Sequence, residues 1–489
     1  MDSNIIFQKI KERITVDDKA FLLIVVCFLV VAFVRVAFGF VPWYLLLVMM
    51  PMFFASLLHP KAGLFALIFL TVLFERFFTL EAFQFGQDVI KLYPLDIVLL
   101  GMYGGVLVKI LYTKMHFAPN KTNVFLSVFF VLASAYLVGS FIGFGSQDMS
   151  VAFSTWKNYV FYGMLFFTLP FLLENESDVK KVVNYFLSAV IIGIIFLLIG
   201  IVRGEGLWTE FTPLSTGGVR LLAFPHAFYF SLAFLGTFVT AEYWSRSKYR
   251  ALIWFVLSIW MFGVLASLMR HMWIGMVVTL IFMWVFFLKE RSQQLTKKMI
   301  AIAFSFGVFI FAFLFFISLT IPTSTVGHIS LSLTETVTTR FTSIGNSADT
   351  SISWRSSTWQ SAFSLLSQSP FLGLGFGVHI PVESGDYRDF VEIRNIHNSW
   401  LALLVQMGIF GFVLMSAFLF SLIIRLVRSY QSTPSLSALR IALLTIFVYQ
   451  GIVFFAQPYL ETNLTGIFFW LTLGLMNTLL MFSWRKDFE

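Results

Sequence analysis

Long apolar runs separated by short polar gaps recur from residue 21 almost to the C-terminus. Each approaches the roughly 20 apolar residues that a helix needs to cross a bilayer. The pattern predicts spans near 21–40, 42–58, 62–80, 94–113, 122–144, 158–173, 179–202, 223–241, 251–268, 271–288, 299–321, 398–424, 441–457 and 464–483. The gap between the first two is so short that one of them can be re-entrant. The expected architecture is therefore all-α, a polytopic membrane protein of about twelve to fourteen spanning helices. Residues 1–20 form a leader, 21–321 hold the first eleven spans, 322–397 form one large loop, and 398–489 hold the last three spans and a short tail.

The long loop is patterned. Trp359, Ala362, Phe363 and Leu366 fall at helical spacing, which predicts a short amphipathic helix over 354–367. Pro370 ends it, and Gly373, Gly375 and Gly377 give a turn before the charged run ESGDYRDFVEIR, read as a solvated loop. The GLGFG stretch is like a phosphate loop only on the surface, because no Lys-Ser/Thr follows it. A turn over a cavity is the simpler reading.

Composition agrees with a membrane protein. The chain is 58% hydrophobic and 12% charged, against roughly 25% charged in soluble domains. A net charge of +8 raises the question of nucleic acid, and the placement of the charges answers it. With the N-terminus in the cytoplasm, most of the 33 Lys and Arg residues fall in inside segments, as the positive-inside rule requires. Both termini are then cytoplasmic, 322–397 faces outward, and no nucleic-acid partner is needed. The leader MDSNIIFQKIKERITVDDK is charged and amphiphilic without a small-residue cleavage site after it, so the first span reads as uncleaved. The single cysteine, Cys27, excludes a disulfide framework and a Cys-based metal site.

Candidate chemistry gathers at the outward ends. Arginine among apolar spans is costly, about 2.5–3.5 kcal/mol on insertion scales. Arg220 follows a Gly-Gly pair in an outer loop, Arg270 sits between two spans with almost no loop, and Arg355 lies on the apolar stripe of the loop helix. Guanidinium groups fork onto phosphate oxygens, so three of them on one side suit a lipid diphosphate. His397 is the candidate general base, because neutral imidazole accepts a proton near neutral pH. Asn398 and Glu392 are candidates for orienting the base or an acceptor, alongside the charged-loop residues Glu383, Asp386 and Asp389. His226, His271, His328 and His379 rank below His397 as structural residues. No Asp-x-Asp pair and no ligand set with metal spacing occurs, so neither a metal nor another cofactor is expected.

Taken together, an Arg with a Trp four residues on (Arg355, Trp359), the P-F-L-G-L-G-F-G turn, and His397-Asn398 followed by nine residues, Gly408, two residues and Gly411 resemble the O-antigen ligase and O-antigen polymerase superfamily. The S-x-x-R of Ser267 to Arg270 and the G-x-R of Gly218 to Arg220 are similar to its arginine motifs. The resemblance covers about 220–411. It implies a GT-C-like bundle and a metal-independent transferase in the bacterial cytoplasmic membrane. The donor it implies is a glycan on undecaprenyl diphosphate, with a glycan or lipid-linked acceptor and a chain-length regulator as a candidate partner.

The leading expectation is polymerisation of lipid-linked repeat units into a surface polysaccharide. O-antigen ligation to lipid A core is the alternative, and protein O-glycosylation ranks third. From another class, a lipid-linked-sugar flippase needs charges along a path through many helices. The mid-span positions here are nearly free of charge, which favours the enzyme.

Overall fold

The computed structural model describes residues 15–39, 42–74, 83–85, 88–90, 93–113, 120–143, 148–207, 220–244, 247–288, 350–384, 387–429 and 433–486, with isolated positions between 290 and 338. The first elements are α1 (Val16–Phe38), α2 (Pro42–Leu58), α3 (Pro60–Leu73), a small hairpin β1 (Phe83–Phe85) and β2 (Asp88–Ile90), and α4 (Pro94–Thr113). Next come α5 (Lys121–Phe141), α6 (Met149–Trp156), a π-helical turn (Lys157–Phe161), α7 (Leu165–Leu172), α8 (Glu176–Ile192) and α9 (Ile194–Arg203). Then follow α10 (Phe224–Val239), α11 (Ala241–Trp244), α12 (Arg250–Ala266), α13 (Arg270–Phe286) and α14 (Thr350–Leu366). The chain closes with a second hairpin, β3 (His379–Ser384) and β4 (Tyr387–Glu392), and α15 (Ser399–Arg428), α16 (Pro434–Val453) and α17 (Asn463–Lys486).

Among the described residues, six helices are long and apolar enough to cross a membrane: Pro94–Thr113, Lys121–Phe141, Glu176–Arg203, Ser399–Arg428, Pro434–Val453 and Asn463–Phe482. Five shorter apolar helices join them. This is an all-α, multi-pass membrane protein whose two hairpins are minor additions. The expected span at 158–173 contains the π-helical turn followed by the eight-residue α7. An apolar run does not report how its backbone is wound. The expected span at 299–321 lies outside the described residues apart from isolated positions.

Two compact units are formed, one within Met1–Pro119 and Met164–Ala189, the other within Asn120–Gly163 and Val190–Glu489. In the first, α2 and α4 pack closely because Gly101 has no side chain. A Cβ there would lie 2.4 Å from the Phe53 carbonyl. Small residues let apolar helices approach in this way. Lys61 pairs with Asp178 at 2.9 Å, and Lys109 with Glu174.

The second unit holds every candidate residue, and its organising feature is a break in α15. Gly408 has φ = 63° and ψ = −168°, so the helix stops and restarts there. A broken helix strands carbonyls before the break and N–H groups after it. The Pro370–Gly375 turn supplies the partners. Leu374 N–H donates to Val405 O at 2.8 Å and Gly375 N–H to Gln406 O at 3.0 Å. Ile409 N–H donates to Pro370 O at 2.9 Å and Phe410 N–H to Phe371 O at 3.3 Å. The glycine-rich turn is thus a backbone plug. Tyr136 Oη also donates to the Leu372 carbonyl.

The expected amphipathic helix is present as α14, with Ala362 and Leu366 buried. Phe363 departs from the expected stripe and is 54% exposed. The charged run is not a solvated loop. It pairs as the antiparallel hairpin β3–β4, from His379 opposite Glu392 to Ser384 opposite Tyr387. Ile380 and Val382 alternate inward, the period-2 signature of a strand, and the dense charges between them conceal it. With Ala362, Leu366, Ile393, Ile396, Leu401, Ala402 and Val405 they form a local core joining α14, the hairpin and the start of α15.

This packing generates a stability prediction. A Cβ on Gly408 would lie 2.2 Å from Phe371 O, one on Gly373 would lie 2.5 Å from Gly408 N, and both residues have positive φ. Gly408→Ala and Gly373→Ala should each cost about 2–5 kcal/mol from overpacking and positive-φ strain. Gly451→Ala, whose Cβ would meet nothing within 4 Å, should leave the thermal unfolding midpoint in detergent unchanged or slightly raised. A wild-type midpoint for Gly408→Ala would contradict the plug.

Candidate functional site

The site is assembled from helix ends in the second unit. Arg220 enters first. Its carbonyl accepts from Gly206 N–H at 2.8 Å, and Leu221 N–H donates to Ala266 O at 3.1 Å. The arginine is thereby fixed between the end of α9 and the end of α12, and it is buried. Arg270 follows through a tight turn. Ser267, fully buried, donates its Oγ to Val264 O at 2.6 Å and closes α12. Leu268 then takes φ = 57°, and Arg270 opens α13. The S-x-x-R spacing is the length of that turn.

His397 lies between the 3-10 turn Ile393–Asn395 and α15. It also has positive φ, 56°. Leu268 and His397 are the two non-glycine residues with positive φ among the described ones, and both flank the site. Such conformations cost of order 1–3 kcal/mol each and persist where the surroundings enforce them. α14 provides that enforcement. Trp359 Nε1 donates to Ile396 O at 2.8 Å, and the Trp354 ring meets the imidazole edge-on at 5.2 Å and 88°. Arg355 sits on the same helix turn.

Burial, and then the Arg355 charge, push the His397 imidazole down to about 4, while a hydrogen bond with the Gln457 side chain works the other way. At neutral pH the ring is an uncharged base. Its Nδ1 is buried without a hydrogen-bond partner.

Arg355, His397, Arg220 and Arg270 all come within electrostatic reach of one residue, His271. The four side chains that sequence pattern singled out are therefore gathered around a fifth that it ranked low. His271 is half-buried, and its Nε2 lies 2.7 Å from Tyr459 Oη. Tyr459 is buried, with its ring stacked on Phe224 at 5.9 Å and 8° and packed against Phe228 and Phe454.

The segment between α16 and α17, containing Gln457, Tyr459 and Glu461, was missed by sequence reasoning. Glu461 is buried in a polar network. Ser399 Oγ donates to Glu461 Oε2 at 2.8 Å, Tyr159 Oη lies 2.8 Å from Oε1, and Asn158 Nδ2 donates to the Glu461 carbonyl at 2.7 Å. Asn158 and Tyr159 are presented by the π-helical turn, a local winding frequent at functional sites. Burial pushes the Glu461 carboxyl up to about 7, against the opposing hydrogen bonds from Tyr159 and Ser399. An acidic residue in a short gap at a span end was the available signal.

Other expected residues make local contacts. Asn398 Oδ1 accepts from Leu401 N–H at 3.0 Å and caps α15. Glu392 is engaged by Arg394 and by Asn395 Nδ2 at 3.1 Å, with no bond to His397. His226 is buried and stacked on Phe196 at 4.3 Å, and His379 begins β3. His328 and Asp386 lie outside the described residues, as do the side chains of Glu383 and Asp389. Among the described residues, no group of three or more His, Cys, Asp or Glu is placed to hold a metal ion.

Comparison with known families bears directly on this site. Residues 251–416 match the family model described as O-antigen ligase. That third of the chain runs from α12 through Arg270, His271 and Arg355 to the plug, His397 and Gly411, while Arg220, Tyr459 and Glu461 lie outside it. No curated protein matches the chain. This match over residues 251–416 is consistent with the O-antigen ligase and polymerase superfamily that the Arg355, glycine-turn and His397 motifs resemble.

Proposed function

We propose that this protein transfers a glycan from a polyprenyl diphosphate to a second acceptor, in the manner of an O-antigen ligase acting on lipid A core. The observation that carries the reading is the gathering of Arg220, Arg270, Arg355 and His397 around His271. The description of the matched family favours ligation over the polymerisation expected first. In the membrane, the protein would be a GT-C-like bundle with both termini cytoplasmic and the site facing outward, where 322–397 and the ends of α13, α15 and α17 meet lipid-linked substrates.

In this reading His397 takes the proton of an acceptor hydroxyl. The freed oxygen attacks the anomeric carbon of the donor sugar, the bond from that carbon to the diphosphate oxygen breaks, and its electron pair leaves with the diphosphate. The arginines hold the diphosphate and stabilise the charge it gains. They supply the positive field themselves, so a chelator is expected to leave the rate unchanged.

Purified protein supplied with an undecaprenyl-diphosphate-linked glycan and lipid A core tests the proposal. Glycan appearing on the core with release of undecaprenyl diphosphate is the expected result. Chains lengthened on the carrier lipid would return the reading to polymerase, and an unaltered donor would contradict an enzyme. His397→Ala should lower the rate roughly 100- to 10,000-fold. Arg355→Lys should lose roughly 100- to 1000-fold, because a point charge does not replace a fork.

The acidity of His397 gives a pH prediction. A base whose imidazole protonates near 4 stays active as pH falls and is lost only below that value. In the wild type, kcat/KM should hold from about pH 8 to about pH 5 and fall through about pH 4. In Arg355→Gln the acid limb of the residual activity should move to higher pH, since a charge that opposed protonation is gone. A wild-type limb near 6.5, the value of an unperturbed imidazole, would contradict the lowering of His397 by burial and Arg355.

A further inference from the structure

His271 is held in a manner suited to a ligand contact. Its Nε2 is taken by Tyr459 Oη at 2.7 Å, and no hydrogen bond reaches its Nδ1 among the described residues. Tyr459 has little freedom to move away, with Phe224, Phe228 and Phe454 packed against its ring. Burial and then the neighbouring Tyr449 push the Tyr459 phenol well up, with Arg220 and Arg355 opposing, so it keeps its proton and can donate it. A hydrogen bond to one imidazole nitrogen fixes both the ring orientation and the tautomer. When Tyr459 donates to Nε2, the ring proton resides on Nδ1. His271 then offers one neutral N–H amid Arg220, Arg270 and Arg355.

We propose that His271 is a second substrate-contacting imidazole, whose Nδ1–H donates to a diphosphate oxygen of the donor, and that Tyr459 is the positioning residue that fixes its tautomer. This rests on the transferase reading above and extends it to residues the arginine and His397 motifs do not include. No proton is transferred at His271. The diphosphate gains negative charge as the glycosidic bond breaks, so a hydrogen bond to it strengthens in the transition state. Removing that donor lowers kcat more than it raises KM for the donor.

The geometry of side-chain amides separates this role from a packing role. Asparagine places its amide nitrogen near the position of Nδ1, and glutamine places it near Nε2. His271→Gln and His271→Ala are expected to lower kcat roughly 10- to 100-fold, and His271→Asn to recover at least about tenfold over His271→Gln. Tyr459→Phe, which removes one oxygen, should lower kcat roughly 10-fold, with the thermal midpoint in detergent shifted equally little in the Asn and Gln variants. Binding of undecaprenyl diphosphate without glycan, followed by intrinsic tryptophan fluorescence, is measured in parallel. If the wild type binds that lipid and transfers glycan while His271→Gln keeps the wild-type kcat, the His271 assignment is overturned and the transferase reading stands. Equal losses in the Asn and Gln variants also overturn it. Failure of the wild type to bind the lipid removes both.

Discussion

Four backbone hydrogen bonds between Pro370–Gly375 and the break in α15 are what the rest of the site depends on. In a bilayer, a helix interrupted without partners leaves polar groups in hydrocarbon, and irregular backbone persists only where protein covers it. Here the cover is a turn of the same chain. The break comes after nine residues of α15, about 14 Å of helix. Holding it locks the position of His397, just ahead of the helix, to that of α14, which ends shortly before the plug. Arg355 and His397 are thus set relative to each other by the glycine backbone contacts of the plug. The fixed spacing from His397 to Gly408 follows from this construction.

The second determinant is electrostatic. Three guanidinium groups within reach of one imidazole repel one another, and in a low-dielectric setting that repulsion is costly. In the proposed reading a bound diphosphate offsets that cost. Glu461 is closed into a network with Ser399 and Tyr159, and Glu392 is held by Arg394. Burial first, and then the Arg355 charge, keep His397 uncharged, so in the proposed reading one of these cations serves both the leaving group and the base.

Much of this was legible in the sequence because charge is expensive among apolar helices. Arg220, Arg270 and Arg355 stand out for that reason, and the loop helix shows in the spacing of Trp359, Ala362 and Leu366. What was not legible depended on pairing or on distance along the chain. Hairpin β3–β4 buries only alternate residues within a highly charged run. The π-helical winding at Lys157–Phe161 leaves no mark in the apolar composition of the expected span that contains it. His271 was overshadowed by the arginine before it, and its partner Tyr459 lies 188 residues away. Glu392 and Asn398, expected to orient the base or an acceptor, also have local tasks that the sequence did not show, a salt bridge to Arg394 and the cap of α15.

The most direct test of the account is a structure of the protein in lipid nanodiscs with undecaprenyl diphosphate bound. The account places the two phosphates among Arg220, Arg270 and Arg355, within hydrogen-bonding distance of His271 and with His397 facing the space where a sugar would sit. A diphosphate bound at the opposite ends of these helices, or away from all three arginines, would contradict it.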